Sequence, residues 1–79
     1  MNVRVLYFAS MRDQAGTESE SINSSALDAS SLYSEVRARH GFTLDPARLR
    51  VAINGIFADW KQALREGDEI VFLPPVSGG

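Results

Sequence analysis

Glu69-Ile70-Val71-Phe72-Leu73-Pro74-Pro75-Val76-Ser77-Gly78-Gly79 carries the reading that decides the fold. Its first five residues are rich in β-formers, and Pro74-Pro75 stops the strand because proline offers no N–H to a continuing ladder. A run of the same character, Asn2 to Ala9 (NVRVLYFA), opens the chain. In an extended strand Val3, Val5 and Tyr7 point to one side, and Arg4, Leu6 and Phe8 to the other. Ile70 and Phe72 likewise separate from Val71 and Leu73. These two strands are the most apolar of the chain, which places them adjacent at the centre of a sheet.

The residues between them supply the rest. Met11 to Gly16 reads as a turn, and Thr17 to Ile22 as a weaker strand returning beside the first, polar enough for a solvated edge. Asp28 to His40 reads as the one substantial helix, with Asp28 as N-cap and Gly41 as stop. Arg37, Arg39 and His40 sit near the negative end of its dipole. Ala29, Leu32, Tyr33 and Val36 form its buried stripe at i, i+3, i+4, i+7 spacing. Phe42 and Leu44 lead into a loop containing Pro46. Leu49 to Asn54 is a third strand, and Asn54-Gly55 signals a type I′ turn into Ile56-Phe57. Asp59 to Leu64 reads as a short helical turn. The expected fold is α+β: one main helix across one face of a mixed sheet of four to five strands, the β-grasp or ubiquitin-like arrangement. Residues 1–73 form the domain, and 74–79 a flexible tail.

One helix covers one side of the sheet, yet the other side is not uniformly polar. Leu6, Phe8, Val71 and Leu73 are left outside, extended by Ala52 and Phe57. A contiguous apolar patch of this kind marks a docking site on a soluble protein.

Composition narrows the function classes. The chain has 79 residues, an apolar fraction of 44% and a formal charge of −2, so it reads as one small globular domain. It holds no cysteine, which favours a reducing cytoplasm and excludes a thiol nucleophile or thiolate ligand. The basic residues are scattered, which argues against nucleic acid. No apolar stretch approaches a membrane span and no secretory leader is expected.

The tail reads as a chemical device. Six residues from Pro74 to Gly79 in a polyproline-like form reach roughly 19 Å at ~3.1 Å each, enough to enter another protein's active site. Pro74 and Pro75 reduce the entropy lost on ordering such an arm, and Gly78-Gly79 leave the terminal carboxylate unhindered. A carboxylate of pKa about 3.3–3.7 is inert toward nucleophiles at neutral pH and must be activated as a mixed anhydride. No GxxxxGK[ST] motif lies in the chain, so activation comes from another enzyme.

The opening VLYFASMRDQAGT, with Phe8, Ala9, Arg12 and Gly16, resembles the small subunit of molybdopterin synthase. The stretches AINGIF, GDEIVF and LPPVSGG between Val51 and Gly79 are more similar still, and PPVSGG is the most specific. The resemblance runs nearly end to end, with little from Glu18 to Arg48. It implies that a ubiquitin-activating-like adenylyltransferase uses ATP to convert Gly79 to a glycyl adenylate. A sulfurtransferase system then makes the thiocarboxylate (1-thioglycine). The tail Pro74, Pro75, Val76, Ser77, Gly78 delivers sulfur into the large subunit, onto a cyclic pyranopterin precursor. It also implies a heterotetramer, partner-binding positions at Phe8, Arg12, Phe57 and Leu73, no tightly bound cofactor or metal, and no catalytic side chain in this subunit. Related carriers for thiamine synthesis or tRNA thiolation, and ubiquitin-like modifiers, are the alternatives.

Other polar residues read as structural. His40 is expected to cap or face solvent without a partner set, and Glu66, Asp68 and Glu69 to form a solvated turn. Trp60 is expected to pack under the Asp59–Leu64 segment, and Ser30, Ser31 and Ser34 to lie on the helix surface.

Overall fold

In the computed structural model, which describes residues 1–75, strands β1 (Asn2–Tyr7), β2 (Ser19–Asn23), β3 (Arg50–Ile53), β4 (Ile56–Ala58) and β5 (Glu69–Leu73) form one mixed sheet. Their order is β2-β1-β5-β3-β4. β1 and β5 run parallel with Val5 beside Ile70 and Tyr7 beside Phe72; the other pairings are antiparallel. The α+β arrangement read from the sequence is thus present, with the first and last of these strands side by side.

Helix α2 (Ala29–His40) crosses one face of the sheet. Asp28 caps it by accepting the Ser31 N–H at 2.8 Å, and Gly41 ends it at φ 70°. Its stripe Ala29, Leu32, Tyr33 and Val36 is fully buried against Val3, Val5, Tyr7, Ile70 and Phe72. Ser30, Ser31 and Ser34 are exposed, as expected. The core is aromatic at one end. Tyr33 meets Phe72 edge-on at 5.1 Å, donates its hydroxyl to the Leu44 carbonyl at 2.6 Å, and lies near Trp60, which stacks on Phe72. Such pairs add about 0.5–1.5 kcal/mol each to the area they bury.

Several local expectations are corrected. The segment after β1 is not a turn but helix α1 (Ala9–Ala15), closed by Gly16 at φ 75°. Seven residues show no full apolar period. The helix exists because Met11 is anchored in the core and Ala, Met, Arg and Gln are good helix formers. β1 therefore ends at Tyr7, and β2 starts two residues later and ends one later than its polar pattern suggested. Pro46–Arg48 winds into a single 3₁₀ turn capped by Asp45. Asp59–Leu64 forms no helix: Asp59 draws the Lys61 N–H onto its own carboxylate at 2.8 Å, and Ala63 bridges to Asp28. That local bond competes with a helical ladder. Asn54 and Gly55 have φ 53° and 84°, as a type I′ hairpin requires.

His40 is not partnerless. Its ring bonds the Glu20 carboxylate, which also accepts the Tyr7 hydroxyl at 2.6 Å and pairs with Arg39 at 3.3 Å. This network ties edge strand β2 to the end of α2 across the top of the core. Burial drives the Tyr7 hydroxyl upward, reinforced by its bond to Glu20. Burial alone would raise the Glu20 carboxyl too, but the Tyr7 and His40 hydrogen bonds and the Arg39 charge outweigh it and hold it below its ordinary value. A carboxyl lowered on folding stabilises the fold above the unfolded value of about 4.3, and that contribution is lost as pH falls through the folded value.

Two outcomes are expected in urea unfolding. Glu20→Gln lowers stability at pH 7, and its deficit relative to wild type shrinks as pH drops below about 4; a deficit constant with pH would contradict this account. Ala9, at the β1–α1 junction, holds φ 51°, a left-handed angle costly to a side chain. Ala9→Gly accordingly raises stability by about 0.5 kcal/mol, and Ala9→Val lowers it by about 1 kcal/mol or more.

Candidate functional site

The face of the sheet opposite α2 carries a row of side chains fixed by strand register. Leu6 lies beside Val71, Val71 beside Ala52, and Ala52 beside Phe57, so an apolar band crosses β1, β5, β3 and β4. Leu6 and Val71 are half-buried by their neighbours, and Phe57 is 56% exposed. Ala52 is itself buried, so it forms the floor of the band rather than a projection. The parity read from the sequence therefore holds: every residue of β1 and β5 expected inside is inside, and those expected outside line this band.

Two clefts flank the band. On the β1 side Phe8, 46% exposed, and Arg12 line a recess with Arg4, Leu6 and Glu18. The turn into α1 makes it, because Phe8 stays extended as the N-cap residue while Arg12 stands one turn along the helix. On the β3 side Phe57 and Leu73 line a cleft of about 410 Å³ with Arg48, Arg50, Pro74 and Pro75. The four positions expected to bind a partner, Phe8, Arg12, Phe57 and Leu73, thus fall two to each cleft, at opposite sides of the same band. Arg50 lies across from Leu73 in the ladder, and its guanidinium sits 3.8 Å above the Phe57 ring. Pro74 is half-buried and Pro75 exposed, so the chain leaves β5 at the rim of this cleft. The remaining tail positions, Val76, Ser77, Gly78 and Gly79, lie outside the described residues.

The acidic turn is structural. Asp68 accepts bonds from the Asn54 side-chain amide N–H and the Arg65 N–H, Glu66 accepts the Asn2 N–H, and the Asn54 side-chain Oδ1 accepts the Glu69 N–H. These bonds lock the β3–β4 hairpin to the start of β5. Among the described residues no cluster of His, Asp and Glu is placed to hold a metal ion, and no helix is long and apolar enough to cross a membrane. This face presents an apolar strip with an arginine-bearing border on each side, Glu18 accompanying Arg4 and Arg12 on the β1 side. Arg48 and Arg50 belong to that border and were missed in the sequence, where their alternation with Leu49 and Val51 was the available signal.

Known proteins resemble the chain in sequence and in fold. The model of the ThiS family matches residues 5–79. The molybdopterin synthase sulfur carrier subunit of Escherichia coli is 30% identical over 80 residues, covering 98% of this chain and 99% of that protein. The human protein of the same name is 36% identical over 87 residues, covering 98% and 93%. A chain in the solved complex of subunits 1 and 2 of molybdopterin-converting factor from Helicobacter pylori matches with a TM-score of 0.70 and 29% identity, over 100% of each chain.

Proposed function

The chain belongs to the ThiS family, and on that footing we propose that it is the sulfur-carrying small subunit of a molybdopterin synthase. The observation that carries the reading is the convergence of the apolar band with the root of the tail. A partner seated on Leu6, Val71 and Phe57 meets the chain as it leaves β5 at Pro74-Pro75. The domain of residues 1–73 is then a handle, and residues 74–79 are the arm that enters the large subunit.

The working group in this reading is the Gly79 carboxylate. An adenylyltransferase of the ubiquitin-activating kind joins it to AMP from ATP with loss of pyrophosphate. A sulfur nucleophile then displaces AMP, and the thiocarboxylate carries sulfur to the pterin precursor. The cysteine-free composition is consistent with this division of labour and with a cytoplasmic setting, since no side chain of the subunit competes as a sulfur acceptor. The Helicobacter pylori complex of subunits 1 and 2 supports a large-subunit partner. Phe8, Arg12, Phe57 and Leu73 are the residues proposed to meet it, and a pair of small subunits on a dimer of large ones is the proposed assembly.

Intact-mass spectrometry of protein recovered from its native cell is expected to find a population heavier by the exchange of one oxygen for sulfur at Gly79. Isopeptide adducts to lysines in its place would instead identify a protein modifier and overturn the carrier reading. Deleting Gly78-Gly79 is expected to abolish sulfur transfer while leaving unfolding free energy within about 0.5 kcal/mol of wild type. Phe57→Ser, at an exposed position, is expected to weaken large-subunit binding about tenfold, measured by calorimetry, with a similarly small change in stability.

A further inference from the structure

The chain is acidic overall, yet its open face is bordered by arginine. Arg4 and Arg12 line one cleft and Arg48 and Arg50 the other, half of the 8 basic residues of a chain whose formal charge is −2. Arginines on the helix side are employed internally: Arg39 pairs with Glu20 and Glu35, and Arg37 donates to the Phe42 carbonyl. Among the described residues, neither Arg48 nor Arg50 has a carboxylate within ion-pair distance, and no Asp or Glu lines their cleft.

Arg50 is also oriented. Its guanidinium carbon stands 3.8 Å from the Phe57 ring centroid, a cation–π contact that restricts the rotamers it must otherwise lose on binding and does not consume its N–H donors as an ion pair would. Leu49, Leu73 and Pro74 supply an apolar floor to the same cleft. An occupant must therefore match hydrocarbon and carboxylate together. A protein surface does so; a phosphodiester backbone lacks the apolar half.

Resting on the sulfur-carrier reading, we infer that Arg48 and Arg50 form a carboxylate-reading clamp at the root of the tail. The clamp takes acidic side chains of the large subunit that flank an apolar contact. It sets the register in which that partner receives the arm, and it contributes more to encounter rate and partner choice than to the burial that holds the complex.

The test uses full-length protein and its cognate large subunit, with association followed by stopped flow and affinity by calorimetry at low and high salt. The Arg48→Glu, Arg50→Glu double variant is expected to bind about tenfold or more weaker at low salt, chiefly through a slower association rate, with the gap narrowing as salt rises. Arg50→Gln, which keeps the bulk of the side chain, is expected to fall between. Reversal of a single Asp or Glu to Lys on the large subunit is expected to restore binding to the double variant. Equal binding by wild type and double variant, or a loss that salt leaves unchanged and no charge reversal repairs, would overturn the clamp alone. Tighter binding by the double variant would show that the arginines hold the chain's own terminal carboxylate, and would also overturn it. Wild-type protein that fails to bind the large subunit at all would overturn the carrier reading itself and the clamp with it.

Discussion

The parallel pairing of β1 with β5 is the constraint on which both faces of the molecule depend. Because side chains alternate along a strand, a slip of one residue would exchange the two faces wholesale. Val5 beside Ile70 and Tyr7 beside Phe72 commit the inner face to α2, and the same register sets Leu6 against Val71 outside. Core and docking band are two consequences of one alignment. The inner face fixes the alignment, since burial of Tyr7, Ile70 and Phe72 is worth roughly 1.5–3 kcal/mol for each large side chain. The outer face inherits its geometry without contributing much to stability.

Polar groups divide along the same line. On the helix side, Tyr7, Glu20, Arg39 and His40 satisfy one another, and Ser24 bonds Glu35 at 2.7 Å. Among the described residues no buried side-chain polar atom is left without a partner. On the open side, Arg48 and Arg50 stand beside hydrocarbon in a cleft that no Asp or Glu lines. The closed network rigidifies the platform, while the open one leaves donors available to a second molecule.

What the sequence disclosed follows the range over which each signal acts. Strand faces were legible because period two is local to Asn2–Tyr7 and Glu69–Leu73. The boundaries of α2 were legible because Asp28 and Gly41 are specific cap residues. Helix α1 was not, since seven residues give no repeat and its support, the burial of Met11, comes from other elements. The helical reading of Asp59–Leu64 failed because a side-chain bond from Lys61 N–H to Asp59 outcompeted the ladder. The Glu20–His40 contact joins residues twenty apart, and only the folding of β2 against the end of α2 reveals it. At the candidate site the apolar band was readable from parity, and Phe8, Arg12, Phe57 and Leu73 from resemblance. The stacking of Arg50 on Phe57 needed the diagonal relation between β3 and β4, which sequence alone does not give.

The central place of β5 bears on how the protein is made. Its partners on either side, β1 and β3, both precede it in the chain, so the sheet has no middle until residues 69–73 leave the ribosome. Before then β1 and β3 each present an unpaired apolar edge, the arrangement that invites association with other nascent chains. Loop closure across almost the whole length must precede the reward of pairing, which places assembly late and makes it concerted. A ribosome stalled upstream of Glu69 would thus release a fragment fit for chaperones and proteases rather than a half-working domain.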